Sequence, residues 1–115
     1  MIICIEGSRG FDDYDVFMRA MGVALSDAKP DSSVAIWVVN SHKLNNFARS
    51  FFNITESYFK SHKIKARVVP VTKHYAELRL AEIDYFVYCC RKRDKVSPLA
   101  AEAELLDIEV GIFRS

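Results

Sequence analysis

Residues 7–10 of the chain, Gly-Ser-Arg-Gly, combine side chains and backbone freedom that can hold an anion. Gly7 and Gly10 permit a positive φ angle or a close approach of the backbone to a ligand. Ser8 offers a small hydroxyl, and Arg9 offers a planar fork of about five N–H donors. These residue types predict a site for phosphate or carboxylate. A tight structural turn is the alternative interpretation.

A second cluster of charge lies at residues 91–95, Arg-Lys-Arg-Asp-Lys, directly after an apolar run. The segments that follow predicted strands together carry nine potential cations: Arg9, His42, Lys43, Lys73, His74, Arg91, Lys92, Arg93 and Lys95. Loops that follow the strands of a parallel sheet share one edge, where such folds bind ligands. We therefore expect an anion site at that edge, with a solvated loop as the alternative. The same edge carries four carboxylates, which reduce its positive charge: Glu6, Asp12, Asp13 and Asp94.

The elements that must position these residues alternate between strand and helix. Apolar runs predict strands over 2–6, 34–39, 64–71, 83–90 and 108–113. Helical spacing predicts helices from residue 12 or 13 to about 25, over 41–62 and over 98–106, while 72–82 fits a short helix around 75–80. This order predicts a single α/β domain over residues 1–115, a Rossmann-like, open, mostly parallel five-stranded sheet with helices on both faces.

The composition is that of one small globular domain with balanced charge. The 115 residues include 16 basic and 15 acidic ones, for a formal charge of +1, so a charged partner must be met by a local cluster. No apolar run reaches the roughly 20 residues of a membrane span, and residues 1–6 lack the features of a signal peptide. The three cysteines lie in apolar runs and predict no disulfide framework. We expect a cytoplasmic protein that does not contact membranes.

Other chemistries find less support in the residue types and their spacing. The three histidines and three cysteines show no metal-ligand spacing, and residues 7–10 form neither a dinucleotide fingerprint nor an ATPase phosphate loop. We therefore expect no metal and no cofactor. The basic 91–95 segment could bind single-stranded nucleic acid together with Tyr75, Tyr85 and Tyr88, but the sequence pI of about 7.7 does not favour it.

The predicted 41–62 helix has a wide apolar face that includes Phe51, Phe52, Tyr58 and Phe59. Such a face either covers the sheet or leaves aromatic side chains for a second subunit, so a homo-oligomer could form through this helix. A separate alternative is that the pocket has degenerated and the protein works by contact with a partner protein or nucleic acid through this face and the basic 91–95 loop, as small stand-alone proteins of viral genomes often do.

Residues 3–13, Ile-Cys-Ile-Glu-Gly-Ser-Arg-Gly-Phe-Asp-Asp, resemble the opening of the YspA-like branch of the SLOG superfamily, which includes the DprA/Smf and LOG-type proteins. The resemblance implies a Rossmann-like fold that binds a nucleotide, a nucleotide derivative or, as in DprA, single-stranded DNA. It assigns Gly7, Ser8 and Arg9 to the ligand-binding loop. Its specific part covers about ten residues, and the implied strand order covers most of the chain.

The chain departs from that family where the family places glycine-rich turns. Residues 40–43 read Asn-Ser-His-Lys, and residues 94–98 read Asp-Lys-Val-Ser-Pro. Glu102 matches the spacing of the catalytic glutamate of LOG enzymes, which would make the chain a nucleotide N-glycosidic hydrolase. The missing glycines argue against this catalysis.

We therefore predict a small binding protein that holds a nucleotide or nucleotide-derived phosphate ligand at the carboxyl ends of the strands. The predicted ligand-binding residues are Gly7, Ser8, Arg9, Gly10, Arg91, Lys92, Arg93 and Lys95. The alternatives are a partner-binding module with a degenerate pocket and a LOG-like hydrolase that uses Glu102.

Overall fold

Five parallel strands form the centre of the fold. In the computed structural model, which describes residues 1–115, the strands are β1 (Ile2–Gly7), β2 (Ser33–Val39), β3 (Lys65–Val71), β4 (Tyr85–Cys90) and β5 (Glu109–Arg114). Their order in the sheet is β3-β2-β1-β4-β5, and every neighbouring pair is parallel. The predicted Rossmann-like α/β fold is confirmed, and its sheet is parallel throughout.

Five α-helices and one 3₁₀ turn connect the strands. The helices are α1 (Tyr14–Leu25), α2 (His42–Ile54), α3 (Glu56–Ser61), α4 (Lys73–Leu78) and α5 (Pro98–Leu105), and the 3₁₀ turn spans Leu80–Glu82. Four helices begin at a side chain that accepts a hydrogen bond from the N–H three residues later: Asp13, Ser41, Thr72 and Ser97. None of the helices has both the length and the apolar character needed to cross a membrane.

Each face of the sheet packs in its own core. One core joins the strands to α1, α2 and α3 around Phe17 and Val87, and the other joins them to α4 and α5 around Phe86 and Leu99. Cys89 and Cys90 belong to different cores, as the alternation of strand side chains predicts. Burial of both faces explains why the strands are continuous apolar runs instead of alternating ones.

Two predicted elements differ from the structure. The predicted 41–62 helix is interrupted at Thr55, whose hydroxyl donates to the Phe51 carbonyl at 2.8 Å. Such hydroxyl bonds to the preceding turn compete with helical backbone bonds and bend helices. In the 72–82 stretch, α4 begins at Lys73, earlier than predicted, because the Thr72 hydroxyl accepts a hydrogen bond from the Tyr75 N–H at 3.0 Å.

The two leucines near the ends of α5 provide a test of this packing. Leu99 is 2% exposed and Leu105 is 78% exposed. Leu99→Ala should lower the free energy of unfolding by about 2–5 kcal/mol, because it leaves a cavity in the core. Leu105→Ala should change it by about 0.5 kcal/mol or less. Urea denaturation measures both values, and equal losses would contradict the packing of α5 on the sheet.

Candidate functional site

The direction of strand order reverses between β1 and β4. From β1 the chain builds the sheet outward through β2 to β3, and it then returns to add β4 and β5 on the other side. Ligands of open parallel sheets bind outside the carboxyl ends of the strands at this reversal, where a crevice forms. Since β1 ends at Gly7 and β4 at Cys90, the crevice is bordered by residues 8–13 and 91–97. These are the two segments that the sequence predicts to bind a ligand.

The Asp94 carboxylate joins the two loops across the crevice. Its Oδ2 accepts hydrogen bonds from the Ser8 hydroxyl at 2.5 Å, the Arg91 backbone N–H at 2.8 Å and Arg91 Nε at 3.2 Å. Its Oδ1 accepts from Arg91 Nη2 at 3.3 Å. The Asp94 side chain is 20% exposed, against 60% for Arg91. The donors of both loops therefore converge on an anion that the chain itself supplies.

These hydrogen bonds favour the ionised form of Asp94. The bond from the Ser8 hydroxyl contributes most, and with the bonds from Arg91 it lowers the pKa of Asp94 from 3.8 to about 2. Asp94 is consequently charged throughout the physiological pH range. The sequence predicts only that Asp94 reduces the positive charge of this edge of the sheet. Its bond to Ser8 is not predicted, because the two residues are 86 positions apart in the chain.

Arg114, at the end of β5, holds the 91–94 turn from its other side. Its Nη1 donates to the carbonyls of Arg91 at 3.2 Å, Lys92 at 3.3 Å and Asp94 at 2.7 Å. The Tyr88 hydroxyl donates to the Lys95 carbonyl at 3.2 Å. The loop is thus fixed by the sheet as well as by Ser8.

The two glycines of the first loop serve close packing. No glycine of the chain has a positive φ angle. A Cβ atom at Gly10 would lie 2.4 Å from Arg91 Cζ, and one at Gly7 would lie 2.8 Å from Leu44 Cδ1. Gly10 therefore leaves room for the guanidinium that binds Asp94, and Gly7 leaves room for the first turn of α2.

A second carboxylate, Glu6, lies half-buried near the end of β1. The Ser97 hydroxyl donates to Glu6 Oε1 and also accepts the Ala100 N–H at 3.0 Å, which caps α5. Burial raises the pKa of Glu6 above its usual 4.5, and the bond from Ser97 and the charge of Lys73 oppose the shift. The end of β1 and the start of α5 are joined through this pair, which sequence reasoning did not identify.

Several predicted ligand residues surround the crevice without a partner. Arg9, Lys92, Arg93 and Lys95 are exposed, and their side chains make no hydrogen bond or ion pair. Lys43 instead pairs with Asp12 at 3.3 Å. Of the predicted ligand-binding cations, Arg91 alone is bound to a carboxylate.

Glu102 lies apart from the Ser8–Asp94 network. It is exposed on α5, its side chain makes no hydrogen bond or ion pair, and it lines a groove of about 480 Å³ that also includes Lys73 and Glu77 of α4. The three cysteines are buried free thiols, and burial raises the pKa of Cys89 to about 12. A thiol of that kind is a poor nucleophile at neutral pH.

The aromatic side chains considered for partner binding are divided between buried and exposed positions. Tyr85 and Tyr88 are buried in the sheet, whereas Tyr75 is 40% exposed and packs against Trp37 with ring centroids 5.3 Å apart. Phe51 and Phe59 are core residues of the α2–α3 region. In that region Tyr58 and Ile54 are exposed, at 48% and 64%.

No group of three or more His, Cys, Asp or Glu side chains is placed to hold a metal ion. Comparisons of the chain with protein-family models, with curated proteins and with solved structures found no match.

Asp94→Asn should reduce the loss of unfolding free energy that accompanies acidification. A carboxyl whose pKa is lower in the folded state stabilises the fold above its unfolded pKa, and this contribution is lost as the pH falls from 3.8 to about 2. The variant should be less stable than the wild type at pH 7 and should lose less stability across this window. Urea unfolding at steps between pH 5 and pH 2 measures the difference.

Asp27→Asn is the matched control, because Asp27 is exposed and its side chain makes no hydrogen bond or ion pair. If the free energy of unfolding depended on pH in the same way for Asp94→Asn and the wild type, the hydrogen bonds from Ser8 and Arg91 to Asp94 would be contradicted.

Proposed function

We propose that the protein binds a nucleotide or nucleotide derivative by its phosphate at the crevice between β1 and β4. The observation that carries this proposal is the convergence of the Ser8 hydroxyl and the Arg91 backbone and guanidinium N–H groups on one oxygen of Asp94. The same types of donor bind phosphate oxygens. In the proposed complex the phosphate takes the place of the Asp94 carboxylate.

The free cations supply the charge that would favour phosphate over Asp94. Arg9 directly follows Ser8, and its exposed guanidinium can form two parallel bonds to a phosphate. Lys92, Arg93 and Lys95 lie on the opposite side of the crevice. A phosphate therefore gains these cations in addition to the donors that Asp94 already uses.

The nature of the ligand is proposed from the first loop. The resemblance of residues 3–13 to the YspA-like SLOG proteins supports a nucleotide as the carrier of the phosphate. We propose binding and not hydrolysis, because Glu102 lines the groove between α4 and α5 and makes no bond to either loop of the crevice. The free thiols of the three cysteines suit a cytoplasmic location, which is reducing.

Arg9→Ala should weaken ligand binding without affecting the fold. A thermal-shift screen of nucleoside monophosphates, cyclic nucleotides and ADP-ribose identifies the best probe, because a ligand of the native state raises the unfolding temperature. Calorimetric titration should then show a loss of about ten- to hundred-fold in affinity for Arg9→Ala, since one charge-assisted hydrogen bond is removed. Arg19→Ala is the control, because Arg19 is also exposed but lies on α1. The absence of any thermal shift at millimolar ligand would overturn the proposal.

Asp94→Asn should strengthen binding of the same probe by about tenfold, because the variant removes a negative charge from the position of the incoming phosphate. The titration is repeated at low and high salt, and the gain should shrink with added salt. Weaker binding by Asp94→Asn would show that Asp94 positions Arg91 for the ligand and is not displaced by it.

A further inference from the structure

The outer strand β5 directs a row of backbone groups away from the sheet. Successive residues of a strand point their N–H and C=O groups to opposite sides, and only one side of β5 faces β4. The Ser115 N–H donates to the Cys90 carbonyl at 2.9 Å, so the odd-numbered residues of β5 face β4. Val110, Ile112 and Arg114 therefore point their N–H and C=O groups outward. No strand lies beyond β5 in the sheet order.

The other outer strand, β3, is blocked against further pairing. The Lys65 N–H donates to the Ser32 carbonyl at 2.9 Å, so the even-numbered residues Ala66, Val68 and Pro70 point outward. Proline has no N–H to offer, and a proline on an outer strand prevents another strand from adding to the sheet. β5 contains no proline. The chain thus blocks one outer strand and leaves the other able to pair.

The side chains of β5 suit pairing with an apolar strand. Val110 and Ile112 are half-buried and pack against the core that includes α4 and α5. The charged residues Glu109 and Arg114 stand at the two ends of the strand. In an antiparallel pair of two β5 strands centred on Gly111, each Val110 lies opposite the Ile112 of the other copy. Apolar side chains that lie directly opposite each other contact and stabilise the pair.

This antiparallel register matches the strand to itself. The outward N–H and C=O groups of Val110 face those of Ile112 in the other copy, so a pair of backbone hydrogen bonds forms on each side of the centre. A two-fold axis through Gly111 relates the two copies, and such an axis closes an assembly at two subunits. The row of outward groups is therefore complementary to a second copy of the chain.

Helix α5 is placed to cover the junction between two such strands. It packs on both β4 and β5, so it lies over the gap between them. Since adjacent strands are about 4.8 Å apart, pairing of β5 with a second β5 would place the two α5 helices about 10 Å apart. Packed helices lie about 8–10 Å apart, so the two copies of α5 would contact each other.

One face of α5 has no contact within the chain. The faces toward the sheet and toward α4 are covered or line the groove between the helices. The remaining residues, Ala101, Glu104 and Leu105, are exposed. α4 lies toward the centre of the sheet, because its Tyr75 contacts Trp37 of β2. The exposed face of α5 is therefore turned away from α4, on the side of β5, where a second α5 would cover it.

We infer that the protein forms a two-fold symmetric dimer in which β5 pairs antiparallel with β5 of a second copy. The sheet then continues from β3 of one copy to β3 of the other, and the two α5 helices cover the junction. Because Pro70 blocks β3, assembly stops at the dimer. This inference is independent of the proposed function.

Val110 and Val68 provide a matched pair for the test, because both are half-buried valines whose N–H points outward from an outer strand. Sedimentation velocity should show the wild type changing from its 13.1 kDa monomer to twice that mass as concentration rises. Val110→Pro should raise the dissociation constant of the dimer by about tenfold or more, because both copies lose a donor at the junction. Val68→Pro should associate like the wild type.

Several outcomes would overturn the inference. These are a wild type that stays monomeric up to about 500 µM, beyond the range of even weak specific dimers, species larger than a dimer, and an equal loss of association in Val68→Pro and Val110→Pro. Ile54→Glu tests the exposed part of α2 in the same way. If Ile54→Glu abolishes the dimer and Val110→Pro does not, the interface lies at α2 and the inference is wrong.

Hydrogen exchange on the wild type decides the question even if Val110→Pro fails to fold. Exchange of a backbone amide slows when its N–H becomes hydrogen-bonded in a stable assembly. The amides of Val110 and Ile112 should exchange more slowly at high protein concentration than at low concentration, whereas the amide of Val68 should not change. Concentration-independent exchange at Val110 and Ile112 would overturn the inference.

Discussion

The pairing of β1 with β4 is the constraint on which the candidate site depends. The two strands are separated by residues 8–84, yet Gly7 pairs with Cys89, and the Ser8 N–H extends the ladder to the Cys89 carbonyl at 2.8 Å. This register places the Ser8 hydroxyl beside the start of the 91–97 loop, so neither loop needs to be long to reach the other. Helices cover both faces, and a shift of register by one residue would therefore exchange the two cores. The packing that stabilises the sheet also fixes the geometry of the crevice.

Asp94 accounts for the order of the crevice in the absence of a ligand. A positively charged edge with a free hydroxyl and free N–H groups is stabilised when an anion accepts hydrogen bonds from those donors. The carboxylate pairs them, and Arg114 holds the carbonyls of the same turn. A ligand that enters would exchange these bonds for similar ones, so its affinity would depend on what it gains beyond them. In the proposed complex that gain comes from Arg9 and the cations of residues 92–95.

The fold could be predicted from the sequence because burial is encoded in local patterns. Continuous apolar runs indicate strands covered on both faces, and their alternation with helices indicates parallel connections. The loops after the strands could be located for the same reason. The contacts inside those loops could not: the bond from Ser8 to Asp94 depends on which strands are neighbours, and no local pattern specifies that.

The edge of this sheet differs from glycine-rich phosphate sites in the groups that line it. In those sites glycine lets the phosphate approach backbone N–H groups, which every residue carries. Here the space beside Gly7 is filled by Leu44, and the space beside Gly10 is filled by Arg91. The turns after β2 and β4 carry amide, hydroxyl, guanidinium and carboxylate side chains instead. Backbone sites recognise a phosphate in general, whereas side chains can be replaced one at a time. A Rossmann-like edge built in this way can change its ligand by single substitutions while the strands and their register stay the same.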